Sequence, residues 1–464
     1  MKRLRFFALL LAFALILSLC SCNMPSRGQK PKEYTDMPRL SDQIGMHDDS
    51  DGYHIVNCVD FSYPTGYEAN RTAHSYDALE NDKQREIYRK ILDGVYCFSD
   101  QAGYFEGEYA MRPLMFDGVN TTHNEVEFVL IAVLDDHPEI FWMATDFDLW
   151  QIKEADAVGV TLNAYYKAAE VVEMMQRLDA SLSGFFAEMP RELSEYECEE
   201  YVYRYIIENC VYDEDVSKDG YGDSHPSIYN LYGVMVDKNA VCEGYSRTLD
   251  YLCSLIGVDT VCVGGVADTE NDEDVDSGKS GLHMWNAVQL DNEWYWADCT
   301  WDDWDEDDDL GDVFYYLNVT DEIMFKDHTV DKTYKQITRD EYRGLETYIN
   351  TFVPRDCTAT KYCYYLREGV TLSTPDAEAL SDGFVTAAEK SRKSLIVVID
   401  HDEYTPDSFA NALFEGSQPY YEALDRANEK LSGVRLDADA DAVYYIDDDR
   451  KMMIFEIRYE EIIC

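Results

Sequence analysis

The sequence predicts an α+β chain: a leading helical lobe, a helix followed by an antiparallel sheet, and a closing α/β piece. Three observations carry this. Apolar residues recur at helical spacing around 77–96, 124–137 and 194–209. A helix starting after Asn239 precedes three strand-like stretches, 258–263, 283–290 and 294–299, the last two joined by the turn pair Asp291-Asn292. In the tail, strand-like 362–366, 395–399, 443–446 and 452–457 alternate with helical patterns at 378–393 and 406–431.

In chain order, residues 1–21 read as a lipoprotein signal peptide. Lys2, Arg3 and Arg5 form a cationic start, and 6–19 is an apolar run too short to span a bilayer comfortably. It ends in Leu19-Cys20-Ser21-Cys22, which resembles a bacterial lipobox, with Ser21 as the small residue before an acylated Cys22. Residues 22–52 are polar, with Pro25, Pro31 and Pro38, and form a spacer. In the expected helical lobe, 53–190, Ile87, Tyr88, Ile91, Leu92 and Val95 mark one helix face. Asn124 is a candidate cap for a helix stopped by Pro138, 140–143 reads as a short strand, and 159–188 combines a strand with a long helix. The next domain, 191–338, opens on a capping box, Ser194 with Glu197. Its central helix is capped by Asn239, buries Tyr245, Leu249, Leu252, Cys253 and Ile256, and ends at Gly257. Acidic loops at 268–276 and 302–312 interrupt the strands, and 314–319 reads as one more. Residues 339–464 form the closing α/β domain.

Composition limits the function classes. Apolar residues make up 46% and charged residues 28%, as expected of a packed chain. The 39 Lys and Arg face 92 Asp and Glu, a net charge of −53. Cleavage after residue 21 would remove three cations and no acid, giving −56. Such a field repels polyphosphate, so nucleic acid is excluded as a partner, while cationic segments are favoured. Of the 13 cysteines, none forms a C-x-x-C pair, which removes the main support for zinc-ribbon or thioredoxin chemistry. Asp305, Asp307 and Asp309 alternate, as do Asp437, Asp439 and Asp441, but neither run has the Gly that an EF-hand loop needs; solvated faces explain them better than calcium.

The chemistry lies in the middle domain. A thiol acyl-transfer enzyme needs a thiolate, an imidazole that activates it and protonates the leaving amine, and a carboxylate that orients the imidazole. Cys242 falls in a first helical turn, where free N–H groups and the helix dipole favour a thiolate and can hold an oxyanion. His283 opens one arm of the 291–292 turn and Asp298 closes the other, with Asp302 and Asp303 as competitors for the orienting role. Trp285, Trp294, Trp296 and Trp301 are candidates for a substrate groove or for packing.

These residues stand in Tyr232-Gly233, Ala240-Val241-Cys242-Glu243-Gly244-Tyr245-Ser246, His283-Met284-Trp285-Asn286 and Trp294-Tyr295-Trp296-Ala297-Asp298-Cys299-Thr300-Trp301-Asp302. Together they resemble the transglutaminase-like superfamily, especially its bacterial extracellular members, over about 225–335. Phe314-Tyr315-Tyr316-Leu317-Asn318 and Asp327-His328 resemble its closing segment, and Asp136-His137-Pro138-Glu139 the region that often precedes it. The resemblance implies a papain-like fold, with Cys242 as nucleophile, His283 as general base and acid, Asp298 as orienting carboxylate, and Tyr232 as an aromatic supporting the site or its oxyanion. Met284 replaces the small residue usual in the family, which would narrow the site. No cofactor is implied. The expected protein is a lipid-anchored, extracytoplasmic peptidase or amidase acting on proteins, peptides or cell-wall peptides. A cross-linking transglutaminase and a non-catalytic surface scaffold are the alternatives.

Overall fold

The computed structural model describes residues 43–460 except 58–62, 64–66, 68, 104–106, 118–120, 153–156, 218–220, 268–280, 304–312 and 334–348. The signal peptide 1–21, Cys22, most of the spacer, the acidic loop 268–276, most of the loop at 302–312 and the 338/339 boundary lie outside the described residues. Among the described residues no helix is long and apolar enough to cross a membrane. The chain divides into two compact units: 1–291 with 327–355, and 292–326 with 356–464.

The first unit begins with β1 (Met46–Asp48), β2 (His54–Val56), α1 (His74–Ala78), α2 (Asp82–Gly94), β3 (Cys97–Ala102), β4 (Tyr109–Met111), β5 (Leu114–Asp117), α3 (His123–Asp135), β6 (Met143–Ile152), β7 (Ala157–Ala164) and α4 (Ala168–Glu188). The lobe expected to be helical therefore carries a seven-stranded sheet, in the order β1-β2-β3-β4-β7-β5 with β6 also paired to β7. Neighbours such as β1 and β2 or β6 and β7 are close in sequence, but others join distant residues, as with Tyr109 opposite Ala164, and no local pattern announces those. The helices follow their caps. Asn81 accepts from the Gln84 N–H at the start of α2. Thr122, two residues before the expected Asn124, accepts from Glu125 N–H at 3.3 Å to open α3. The strand expected at 140–143 begins only at Met143.

The unit continues through α5 (Glu195–Asn209), β8 (Val211–Tyr212), α6 (Tyr221–Ser224), a 3₁₀ turn (Pro226–Tyr229), a π-helical turn (Gly233–Asp237), β9 (Asn239–Ala240), α7 (Cys242–Leu255), β10 (Asp259–Ala267) and β11 (Leu282–Leu290). The Ser194–Glu197 capping box forms as expected. After β12 (Glu293–Ala297), β13 (Leu317–Val319) and α8 (Asp321–Met324) of the second unit, β14 (His328–Val330) returns to the first and pairs antiparallel with β10. On its other side β10 pairs antiparallel with β11, placing Gly265 opposite His283 and Gly264 opposite Met284. Helix α7 packs on β10 and β11 and also on α5, so it is buried nearly all round, with Tyr245, Leu249, Leu252 and Cys253 fully enclosed. Gly257 ends it with φ of 92°, as its place in the sequence predicts.

Gly265 is where β14 closes on β10. A Cβ there would overlap the Thr329 carbonyl oxygen and come 2.8 Å from Trp285 Cη2. Gly265→Ala should therefore cost about 2 kcal/mol or more, read as a lowered denaturant midpoint at constant slope. An unchanged midpoint would show that β14 does not hold this close approach.

In the second unit, β12 pairs antiparallel with β13. The tail supplies α9 (Tyr364–Glu368), β15 (Val370–Leu372), α10 (Ala377–Glu389), β16 (Ser394–Ile399), α11 (Pro406–Phe414), α12 (Pro419–Lys430), β17 (Tyr444–Asp447) and β18 (Met452–Glu456). Its sheet runs β15-β16-β18-β17 and its core gathers Phe384, Val397, Phe409, Leu413, Met453 and Phe455. Residues 362–366, expected as a strand, enter α9 instead, because Tyr364 is fully buried and packs at 5.0 Å on Phe314. The helix expected over 406–431 is two helices. Gly416 takes a φ of 64° between them and Pro419 starts the second.

Candidate active site

The local fold around Cys242 is built from backbone. Val241 N–H bonds the Ile228 carbonyl, and Tyr245 N–H bonds the Val241 carbonyl to start α7. Asn239, the expected cap, does not cap the helix: its amide goes to Asp213, and Val241 holds the N-cap position with no side-chain cap. The first-turn N–H groups are thus left to whatever lies at the thiol. Gly244 lets this turn sit tightly, since a Cβ there would come 2.6 Å from the Ile228 carbonyl oxygen.

Cys242 is nearly buried, 7% exposed, and packs against Met284 in a small cluster that also includes Cys262. Two bonds lock β11 to the helix: Ser246 Oγ donates to Met284 O at 2.9 Å, and Asn286 Nδ2 donates to Ser246 O at 2.9 Å. His283, also 7% exposed, adjoins Met284 along the strand. Its ring stacks on Trp285 at 6.0 Å and lies 5.5 Å from His328, whose Nδ1 bonds the Asp327 carboxylate. So the helix that begins at Cys242 meets β11 within one residue of His283, and the side chain at that meeting point is the bulky Met284.

Tyr232 precedes the π-helical turn that packs on α7. It is 2% exposed, tilts against Phe141 at 5.2 Å, and its hydroxyl is buried without a hydrogen bond. Burial raises its ionisation above the usual tyrosine range, and the Arg177 guanidinium, 5.5 Å from the ring centroid, offsets part of that. Its hydroxyl therefore stays protonated and can donate a hydrogen bond.

Asp298 belongs to the second unit. It is fully buried, and its Oδ1 accepts the Thr300 and Trp301 N–H groups at 2.9 and 3.2 Å. Its competitor Asp302 commits one oxygen to Tyr315 N–H and the other to Tyr316 N–H, which gives it a structural post. The turn between the two arms has φ of 53° at Asp291 and 67° at Asn292, the signature of a type I′ turn. Trp285 and Trp296 are fully buried, and Trp296 Nε1 donates to Asp321 at 2.7 Å, so neither lines an open groove.

Glu243 and Arg247 form a buried pair that the sequence does not reveal. Both are 3% exposed, and Arg247 Nε and Nη2 donate to Glu243 Oε1 at 3.1 and 3.0 Å. Their i,i+4 spacing was the available signal, but it looks the same as an exposed pair. Burial pushes the Glu243 carboxyl up to about 7, against the pull of Arg247. Asp135 is likewise pushed by burial up to about 7, with Thr351 and Arg247 opposing. Both shifts are upward from ordinary values of 4.5 and 3.8, so between pH 4 and 7 the folded chain binds more protons than the unfolded one. Stability is then full below pH 4 for these two groups and is lost as pH rises through about 7. The expected result is a thermal midpoint several degrees higher at pH 5 than at pH 8, by differential scanning calorimetry. Glu243→Gln should flatten that dependence; an equal slope in the variant would count against the assignment.

Residues 186–299 match the family described as the transglutaminase-like superfamily, a span that holds Cys242, His283 and Asp298. This segment is similar to transglutaminase-like domains. Among solved structures, one described as a TGase is 14% identical, with a TM-score of 0.23, over 44% of this chain and 54% of that one. Another, a candidate cysteine protease from Cytophaga hutchinsonii, is 11% identical, with a TM-score of 0.21, over 44% of this chain and 70% of that one. The chain thus spans about half the length of the first. No curated protein matches the chain. Transglutaminase-like domains are typically cysteine-dependent, which fits the single thiol at the start of α7.

Proposed function

We propose that the protein is a thiol-dependent acyl-transfer enzyme that hydrolyses amide or peptide bonds, with Cys242, His283 and Asp298 as its catalytic residues. The observation that carries the reading is Cys242 in an uncapped first helical turn, packed where the helix meets β11 beside His283. The type I′ backbone at 291–292 supports Asp298 as the carboxylate that orients His283.

The chemistry follows from these groups. His283 takes the Cys242 proton, and Sγ attacks the carbonyl carbon. The resulting oxyanion is met by first-turn N–H groups of α7 and the Tyr232 hydroxyl. The C–N bond then breaks as His283 returns the proton to the leaving amine, leaving a thioester on Cys242. Water, deprotonated by His283, attacks that thioester; the C–S bond breaks, the carboxylic acid leaves, and Sγ of Cys242 takes its proton back from His283. Hydrolysis is favoured over cross-linking because thiol and imidazole are each 7% exposed and Met284 fills space beside the thiol. Water reaches such a site more readily than a second protein's lysine. The strongly negative chain favours cationic stretches of protein, peptide or cell-wall peptide as substrate. In this proposal residues 1–21 are cleaved and a lipid on Cys22 tethers the enzyme on the outer face of a membrane.

The test is incubation of the protein with a library of short peptides, with and without a fluorescent primary amine, read by mass spectrometry. New peptide ends or carboxylates that vanish in Cys242→Ala are expected. Amine adducts dominating over hydrolysis would favour the cross-linking alternative, and a profile identical in Cys242→Ala would leave the scaffold reading.

A further inference from the structure

We propose that Val266 and Leu282 are specificity-determining residues that select substrates with a large apolar side chain on the residue whose carbonyl is attacked. The proposal rests on the reading of Cys242 as the nucleophile. Cys242, Val266, Leu282 and Met284 all belong to the first unit.

The register of β10 and β11 sets the geometry. Val266 stands opposite Leu282, Gly264 opposite Met284 and Cys262 opposite Asn286. Side chains alternate along a strand, so Leu282, Met284, Asn286, Val266 and Cys262 share one sheet face. Helix α7 covers that face, and its contacts fix its direction. Cys242 packs with Met284, Ser246 O accepts from Asn286 Nδ2, and Asp250 Oδ2 accepts from Cys262 Sγ at 3.6 Å. The helix therefore runs from Met284 towards Asn286 and Cys262, and away from Leu282. Exposure marks where its cover ends: Asn286 and Met284 are 0% and 1% exposed, whereas Leu282 and Val266 are 41% and 37% exposed.

Two strand residues span about 6.7 Å, so the pair lies one side-chain length ahead of the contact between the thiol and Met284. An acyl carbon bonded to Cys242 Sγ, with its oxygen on the uncapped first turn of α7, holds its own side chain over this pair. The pair offers neither charge nor a side-chain hydrogen bond. It favours Leu, Ile, Met or Phe there and penalises a side chain whose polar group would lose water. Two side chains expose far less than the roughly 1,000 Å² that a stable protein interface buries. A net charge of −53 also opposes a second copy, so a single substrate side chain is the occupant that fits.

The experiment compares two irreversible probes on the full protein at pH 7: the chloromethyl ketone of N-acetyl-leucine and its glycine counterpart. Rates of Cys242 alkylation are read by mass spectrometry, and their ratio cancels the intrinsic reactivity of the thiol. In wild type the leucine probe is expected to react about tenfold faster or more, and Leu282→Ser and Val266→Ser each to lower the ratio at least about threefold. A ratio near one in wild type, which needs no variant, or a ratio unchanged in both variants, would overturn the proposal. So would a concentration-dependent dimer that Leu282→Ser dissolves, because the pair would then belong to a second copy. Iodoacetamide, which carries no such side chain, is run beside the probes on wild type and His283→Ala. An iodoacetamide rate unchanged by His283→Ala, with the probe ratio still high, would overturn the catalytic reading and leave the contact standing. A rate lost in His283→Ala, with a ratio near one, would overturn only the contact.

Discussion

Replacing Cys242 by serine is expected to lower amide hydrolysis at least about 10³-fold while the thermal midpoint stays within a degree or two. The substitution is nearly isosteric, so its packing on Met284 and the first turn of α7 persist. Only the nucleophile changes: a hydroxyl ionises far less readily than a thiol, and neither the helix start nor an imidazole makes up that difference in a site shaped for sulfur. Initial rates on any peptide found to be cleaved, with calorimetry on the same samples, check both halves. Retained activity in Cys242→Ser would move the chemistry to another group.

The second large effect is on stability. Arg247→Met should cost about 3–5 kcal/mol, because Glu243 would then lie buried without its counter-charge. The Glu243 Oε2 atom is already buried without a hydrogen bond, so the carboxylate relies on the two bonds from Arg247 to its other oxygen. Urea unfolding gives the loss, and the double change Glu243→Gln with Arg247→Met should recover most of it. If the double variant is no more stable than the single one, the cost comes from lost packing of the arginine stem rather than from the stranded charge. The pair sits one and five residues after Cys242, so the same variant reports how far the first turn of α7 depends on it.

What could be read from the sequence was local. The Ser194–Glu197 capping box, the stop at Gly257 and the turn at 291–292 each depend on a few neighbouring residues, and the structure shows all three. The central helix and the strands after it follow the same rule, because their apolar periodicity spans whole elements. What escaped depends on distant partners. The first sheet joins β4 to β7 across more than fifty residues, and short strands with mixed patterns carry no sign of it. Asn239 has the chemistry of a cap, but Asp213 takes its amide, and the helix is left open at the thiol. Residues 362–366 have strand-like composition, yet the burial of Tyr364 against Phe314 selects a helix. At the site, the sequence offered His328 only as part of a familiar phrase. Its contact with His283 arises from β14 pairing with β10 across about sixty residues of chain.

If Cys242 is an activated thiol dependent on His283, its alkylation rate against pH will show it. Limiting iodoacetamide is applied to the native protein, and the modified cysteine is mapped by mass spectrometry in wild type and His283→Ala. Burial raises the thiols of Cys97, Cys198, Cys253, Cys262, Cys299, Cys357 and Cys363, so these form a slow background. Cys242 is expected to be labelled first near pH 6, and His283→Ala to remove this lead. Labelling of Cys242 that is no faster than the buried thiols, or that is unchanged in His283→Ala, would contradict it.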